Sequence, residues 1–153
     1  MKSLTFRPGR QDEAELFNEM TLAGVRFYDH PNPPPNDFAD LAAMLEAGNP
    51  DEVITVAEHD GEVIGFYGLV VEDDFVELLR MFLAIDRIGR GYGRTLWRHA
   101  VESARRHGER LRILADPGAR GFYEAMGAEL DREVEAYPGF VLGLYWYELT
   151  DSA

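Results

Sequence analysis

Apolar residues along this chain change their spacing several times, and each change marks an element. Leu16, Met20, Ala23 and Phe27 recur at three- and four-residue intervals, which predicts an amphipathic helix from Asp12 to Tyr28. The stretch His30–Asn36 carries four prolines and must be an irregular loop. A second helix is expected from a cap at Asn36 or Asp37 through Phe38, Leu41 and Leu45, ended by Gly48. Two β-rich runs, Glu52–Glu58 and Glu62–Val71, flank Asp60-Gly61, a dipeptide suited to a two-residue hairpin turn. Val76 to about Ile85 reads as the next strand. Helical spacing then returns at Leu96, Trp97, Ala100, Val101 and Ala104, and stops at Gly108.

Ser3–Arg7 alternates as a short first strand closed by Pro8-Gly9, and Leu111–Ala115 has the apolar run of a buried strand. Asp116-Pro117 supplies an N-cap with proline at the first helical position, opening a short helix to Met126. Two strands, Ala128–Ala136 and Phe140–Leu149, meet through Pro138-Gly139. The order βααβββαβαββ predicts a mixed α/β fold, a mostly antiparallel sheet with a central parallel strand pair. No repeat, low-complexity tract or linker divides the chain, so residues 1–153 are expected to form one domain.

Composition narrows the chemistry. A net charge of −13 argues against a nucleic-acid partner, because phosphate binding needs a basic surface, and weakly favours cationic ligands. The chain has no cysteine, which removes disulfides, thiolate metal sites and cysteine nucleophiles and makes a reducing cytoplasm the expected compartment. Met1–Arg10 lacks the apolar core of a signal peptide, and no stretch approaches the length of a membrane span. Arginines nevertheless crowd one segment, at 87, 90, 94, 98, 105, 106, 110 and 112. Arg105, Arg106, Arg110 and Arg112 are expected on a solvated helix face; Arg90 and Arg94 stand in a more telling place.

That place is Ile85-Asp-Arg-Ile-Gly-Arg-Gly-Tyr-Gly-Arg-Thr-Leu96. Glycines at 89, 91 and 93 free the backbone and let a ligand approach it closely. Between a strand and a helix, the unpaired N–H groups and the positive dipole end suit a phosphate or pyrophosphate, to which Arg90 and Arg94 would add charge-assisted bonds. On spacing alone, a tight connection explains the glycines equally well. Two familiar phosphate loops do not fit. A P-loop ends in Gly-Lys-Ser/Thr, where this chain has Gly93-Arg94-Thr95. A dinucleotide fingerprint needs glycine at 94 and an alternating strand–helix pattern.

Arg90-Gly91-Tyr92-Gly93-Arg94 after a strand and before a helix resembles the acetyl-CoA pyrophosphate loop of the GNAT superfamily of N-acetyltransferases. Asp116-Pro-Gly-Ala-Arg-Gly-Phe-Tyr-Glu-Ala-Met-Gly127 resembles that family's second signature, with Phe-Tyr-Glu a few residues before a glycine. The resemblance implies direct acetyl transfer from acetyl-CoA, a cosubstrate, to a small-molecule or peptide amine in a ternary complex, with no metal. It places Ile88, Gly89, Arg90, Gly91, Tyr92, Gly93 and Arg94 on the pyrophosphate and the main chain of Met81, Phe82 and Leu83 on the pantetheine arm. Asp116 falls near the cofactor, where relatives commonly have Asn, and Ile88 where they have Gln or Arg. Tyr123 falls at the family's general acid toward the departing sulfur, and Glu77 at the position of a carboxylate base.

An amine of ordinary pKa (~10.4) is mostly protonated at neutral pH, so a base, direct or through water, has a clear use. Glu77 is that base or a surface strand acid; Tyr123 is the acid or a half-buried aromatic. The proline loop, the first two helices and the last strands, with Tyr28, Phe38, Tyr137, Phe140 and Tyr145, are expected around the acceptor. Residues Tyr137–Gly143 sit where relatives close that pocket. His30, His59, His99 and His107 show no metal-ligand spacing. His99 and His107 are expected on the helix surface, and His30 in the solvated proline loop. A homodimer through the aromatic strand Gly143–Leu149 is a further expectation. The competing readings are a catalytically silent CoA-binding module, which turnover separates, and a nucleotide-binding enzyme, which ATP or NAD would stabilise in preference to CoA.

Overall fold

The structure, a computed structural model, describes residues 3–27, 43, 45–137 and 140–150. Strand β1 (Thr5–Pro8) leads through a single 3-10 turn (Gln11–Glu13) into helix α1 (Ala14–Phe27). The expected proline loop and most of the second helix lie outside the described residues; 45–47 are helical. Strands β2 (Val53–His59), β3 (Glu62–Val71) and β4 (Val76–Leu83) follow, then α2 (Tyr92–Arg105), β5 (Arg110–Ala115), α3 (Arg120–Ala125), β6 (Glu129–Tyr137) and β7 (Phe140–Glu148).

The strands form one seven-stranded sheet in the order β1-β2-β3-β4-β5-β7-β6. Every pairing is antiparallel except β4 with β5. That exception follows from α2, which carries the chain back across the sheet between the two strands. The β2–β3 hairpin turns at Asp60 (φ 53°) and Gly61 (φ 79°), both left-handed, as a two-residue turn compatible with strand twist requires.

Helix α2 covers one face with Leu96, Trp97, Ala100, Val101 and Ala104, all buried against Ile64, Leu69, Val76, Leu78, Leu111 and Ile113. Burying each large aliphatic of this set contributes about 1.5–3 kcal/mol. Helix α1 covers the other face with Phe17 and Met20 against Val56 and Phe66. Its buried stripe is Phe17, Met20, Thr21, Gly24 and Val25, rotated from the predicted one. Leu16 (37%) and Phe27 (47%) stay exposed. The small residues Thr21 and Gly24 carry no hydropathic signal, yet they are what lets the helix lie close to the sheet.

Arg7 joins β1 to the first turn and to β2, donating to Glu13 (2.6 and 2.9 Å) and to Glu58 (2.9 Å). The guanidinium holds the buried Glu13 carboxyl down at about 2. Two further expectations are corrected. His99 is not a plain surface residue: its ring stacks on Phe6 (3.7 Å between centroids) and its Nδ1 meets the hydroxyl of the fully buried Tyr67 at 2.7 Å. Tyr67 also bonds Ser103 Oγ at 2.7 Å, so a polar side chain under α2 captures two helix residues that periodicity assigns to the outside. Strand β7 lies between β5 and β6, with both backbone edges already paired, and so it has no edge left for a second copy of the chain. Among the described residues no helix is long and apolar enough to cross a membrane.

Candidate active site

Strands β4 and β5 pair at only three positions, Val76↔Leu111, Glu77↔Arg112 and Leu78↔Ile113. Beyond Leu78 they diverge. The cause lies on the other side of β4: Gly68 faces Arg80 while Leu69 faces Leu78, so Leu79 is an extra residue, a β-bulge. A bulge bends its strand and sharpens the local twist, which swings the end of β4 away from β5. The gap is a cleft of about 400 Å³, walled by Leu79–Leu83 on one side and Leu114–Asp116 on the other. From Tyr67↔Met81 to Gly65↔Leu83, β4 keeps its bonds to β3 along one edge. Its other edge faces the cleft with backbone groups that no neighbouring strand takes up.

The glycine loop forms the cleft mouth. Ala84 N–H bonds Ile64 O (2.8 Å), Arg87 N–H bonds Ala84 O (2.9 Å) and Ile88 N–H bonds Ile85 O (3.3 Å), making a 3-10 turn where a strand end was expected. Gly89 (φ 84°) and Gly91 (φ 90°) then take left-handed conformations. Gly91 is the N-cap of α2 and has no side chain to bond its first turn. A helix start of this kind presents N–H groups and a partial positive charge to whatever occupies the mouth. Gly93 allows a close approach on the inside, since a Cβ there would stand 3.3 Å from Phe122 Cε1.

Ile88, Gly89, Gly91, Gly93 and Arg94 line the cleft, as do Met81, Phe82, Leu83, Asp116 and Tyr123. Tyr123 is 6% exposed, held on α3 by edge contacts with Trp97 (5.7 Å) and Phe122 (5.3 Å). The Asp116 carboxylate accepts from Gly118 N–H at 3.1 Å, capping the 3-10 turn (Pro117–Ala119) that leads into α3.

Three candidates are not brought to the cleft by their side chains. Arg90 is exposed beside the mouth. Tyr92 is buried in the core, its ring 5.7 Å from that of His59, so any ligand contact there belongs to its backbone. Glu77, the expected base, is the third. It sits on the α1 side of the sheet, 7% exposed, with its carboxylate gripped by Arg112 through Nε (3.1 and 3.2 Å) and a short Nη2 contact. The Arg112 guanidinium lies over Phe75 (4.5 Å), and its hydrogen bonds to Glu77 raise it above the ordinary arginine range. Arg112 is therefore a strand residue locked in an ion pair, not part of a solvated helix face.

Tyr145 is likewise no pocket aromatic. It is fully buried, its hydroxyl donating to Glu124 and accepting from Arg120 Nε (3.1 Å), and burial pushes it above the usual phenol value. Tyr28 and Phe38 lie outside the described residues, as do the side chains of Tyr137 and Phe140. Residues missed in the sequence also line the cleft: Gly24 of α1, the bulge residue Leu79, Arg80, Leu114 and Phe122. Phe122 was visible within its signature; a bulge leaves no local mark. Among the described residues no group of three or more acidic or histidine side chains is placed to hold a metal ion.

A sheet split by a bulge next to a parallel pair, with a helix opened by glycine at the mouth of the split, is the arrangement that the resemblance to the GNAT superfamily implies. Residues 14–128 match the acetyltransferase (GNAT) family, and the chain belongs to that family. Among solved structures it is similar to a GCN5-related N-acetyltransferase from Rhodopseudomonas palustris (TM-score 0.78, 19% identity, 97% of each chain covered). It is also similar to the PaiA N-acetyltransferase of Thermoplasma acidophilum in complex with coenzyme A (0.73, 17% identity, 96% of this chain and 99% of that one). A third is YncA of Salmonella typhimurium, a putative acetyltransferase with its cofactor acetyl-CoA (0.66, 18% identity, 99% and 97%). Among proteins of curated function, none matches the sequence.

Proposed function

We propose that the protein transfers the acetyl group of acetyl-CoA to a primary amine, on a small molecule or a peptide, by direct attack in a ternary complex. The observation that carries this reading is the continuity of the cleft. It runs from the start of α2, where no side chain bonds the first turn, along the open backbone edge of β4, to the hydroxyl-bearing Tyr123.

The diphosphate would lie on the backbone of Gly89–Gly93, with Arg94 adding a cation at the mouth and the exposed Arg90 beside it. The pantetheine amides would pair with main-chain groups of Met81–Leu83, as an added strand pairs with a sheet edge. An N–H at Phe82 or Leu83 would donate to the thioester oxygen and stabilise the charge that develops there. The amine nitrogen attacks the thioester carbon, the C–N bond forms and the C–S bond breaks. The amine proton goes to solvent or to a base other than Glu77, and the Tyr123 hydroxyl donates to the departing sulfur. The acidic chain favours encounter with cationic acceptors.

Thiol release from acetyl-CoA across a panel of amines tests the assignment, with Tyr123→Phe as the control. Removing the proton donor lowers kcat by about 100-fold while leaving CoA affinity near wild type. If CoA stabilises the fold but no amine in the panel releases thiol, and Tyr123→Phe changes nothing, the chain is a CoA-binding module and not an enzyme.

A further inference from the structure

Next to the bulge sits a buried ion pair that acetyl transfer itself does not call for. Arg80, the residue after Leu79, donates from Nε and Nη2 to the Glu52 carboxylate at 3.0 and 2.9 Å. Its Nη1 donates to Asn18 Oδ1 (3.1 Å) and Thr21 Oγ1 (3.2 Å) on α1, and its guanidinium lies 5.1 Å from the Phe66 ring centroid. The side chains of Arg80 and Glu52 are only 12% and 6% exposed. Glu52 precedes β2, which is not adjacent to β4, so its side chain must cross over β3 to make the contact. It crosses at Gly68, where an added Cβ would stand 1.8 Å from Glu52 Oε2. Gly68 is also the residue paired with Arg80, on the strand facing the bulge.

A pair buried this deeply is a weak source of stability, because desolvation offsets most of the attraction. What its geometry supplies is position. A bulge has no intrinsic register: Leu78, Leu79 or Arg80 can each be the unpaired residue, and moving it by one turns the side chain in between to the opposite face and shifts the point at which β4 bends. Leu78 is held in the core under α2, and with Arg80 unpaired its side chain would turn away from Glu52, Asn18 and Thr21, so the two contacts together leave Leu79 as the unpaired residue. We propose that the Glu52–Arg80 pair, seated over Gly68, is a positioning device that fixes the bulge at Leu79 and so aims the backbone of Met81–Leu83 into the cleft. The proposal rests on the reading of that edge as the pantetheine site.

The test uses the full chain and two variants. Glu52→Met with Arg80→Met removes both charges together, an exchange that leaves buried pairs about neutral in stability. Gly68→Ala keeps both charges but fills the space the carboxylate occupies. Two quantities are measured beside Tm: the Kd for CoA, and hydrogen exchange of the amides at 81–83. The expected result is a Kd about tenfold higher or more, with faster exchange at 81–83, in a double variant whose Tm stays near wild type. A merely structural pair would change Tm and leave the Kd of the folded protein alone. Wild-type affinity and wild-type protection at 81–83 in both variants overturn the proposal. If the wild-type chain itself fails to bind CoA, the pantetheine reading falls, and exchange at 81–83 still decides whether the pair fixes the bulge. Should the double variant fail to fold, Gly68→Ala carries the same comparison.

Discussion

Gly89 and Gly61 give a matched pair for testing the diphosphate loop. Both hold left-handed backbone (φ 84° and 79°), and a Cβ added at either meets nothing within 4 Å. Alanine at either position therefore carries one cost, that of an L-residue in the left-handed region, about 1–2 kcal/mol. In a domain of this size that lowers Tm by about 2–8 °C. The two sites differ only in place: Gly61 turns the β2–β3 hairpin, whereas Gly89 lines the cleft mouth. If backbone amides there hold a diphosphate, Gly89→Ala puts a methyl group where the ligand approaches and shifts the donors beneath it. Losing the equivalent of one charge-assisted hydrogen bond, about 1.5–3 kcal/mol, weakens CoA by about tenfold to a hundredfold. Differential scanning fluorimetry gives Tm and titration calorimetry gives Kd. The expected result is equal Tm losses in the two variants with CoA binding impaired in Gly89→Ala alone. Equal Tm losses with wild-type affinity in both would refute the diphosphate assignment.

Because Glu77 is tied to Arg112 on the α1 side of the sheet, Glu77→Gln is expected to lower Tm and to leave turnover per folded molecule unchanged. A large fall in kcat at constant CoA affinity, measured as thiol release, would return Glu77 to the reaction. His99 predicts a pH effect of known sign. Burial, aided by the Arg106 charge, lowers its folded pKa below the ordinary 6.5. The unfolded chain therefore takes up the proton first, and stability falls as pH drops below 6.5 toward the folded value. His99→Gln should flatten the Tm curve between about pH 7 and pH 5, the range in which histidine titrates; an unaltered slope would contradict the burial argument.

Much of this fold was legible because its signals are local. Asp60-Gly61 specified a hairpin turn, Leu96 to Ala104 specified a buried helix face, and Asp116-Pro117 specified a cap. The loop at 88–94 was readable for the same reason: glycine spacing reports directly on backbone conformation. What escaped notice is non-local. The buried face of α1 is set by Thr21 and Gly24, whose value is smallness next to Phe82 and Arg80, not hydropathy. The position of Glu77 in a motif says nothing about its partner 35 residues later, at Arg112. The bulge at Leu79 depends on Gly68 and Glu52, so no window around residue 79 announces it.

The two halves of the sheet behave as the covers of a book bound along a very short spine. One cover is β1 to β4 and the other is β5 to β7, and three rungs hold them together. Of the six spine residues, Val76, Leu78, Leu111 and Ile113 are each no more than 3% exposed, and Glu77 and Arg112 close the opposite face with their ion pair. The angle between the covers is thus decided by a few side chains, of which Leu78 and Ile113 reach the inner end of the cleft while Val76 and Leu111 do not line it. Trimming one methyl group from Val76 or Leu111 is a way to alter how the pages open without touching what is read there.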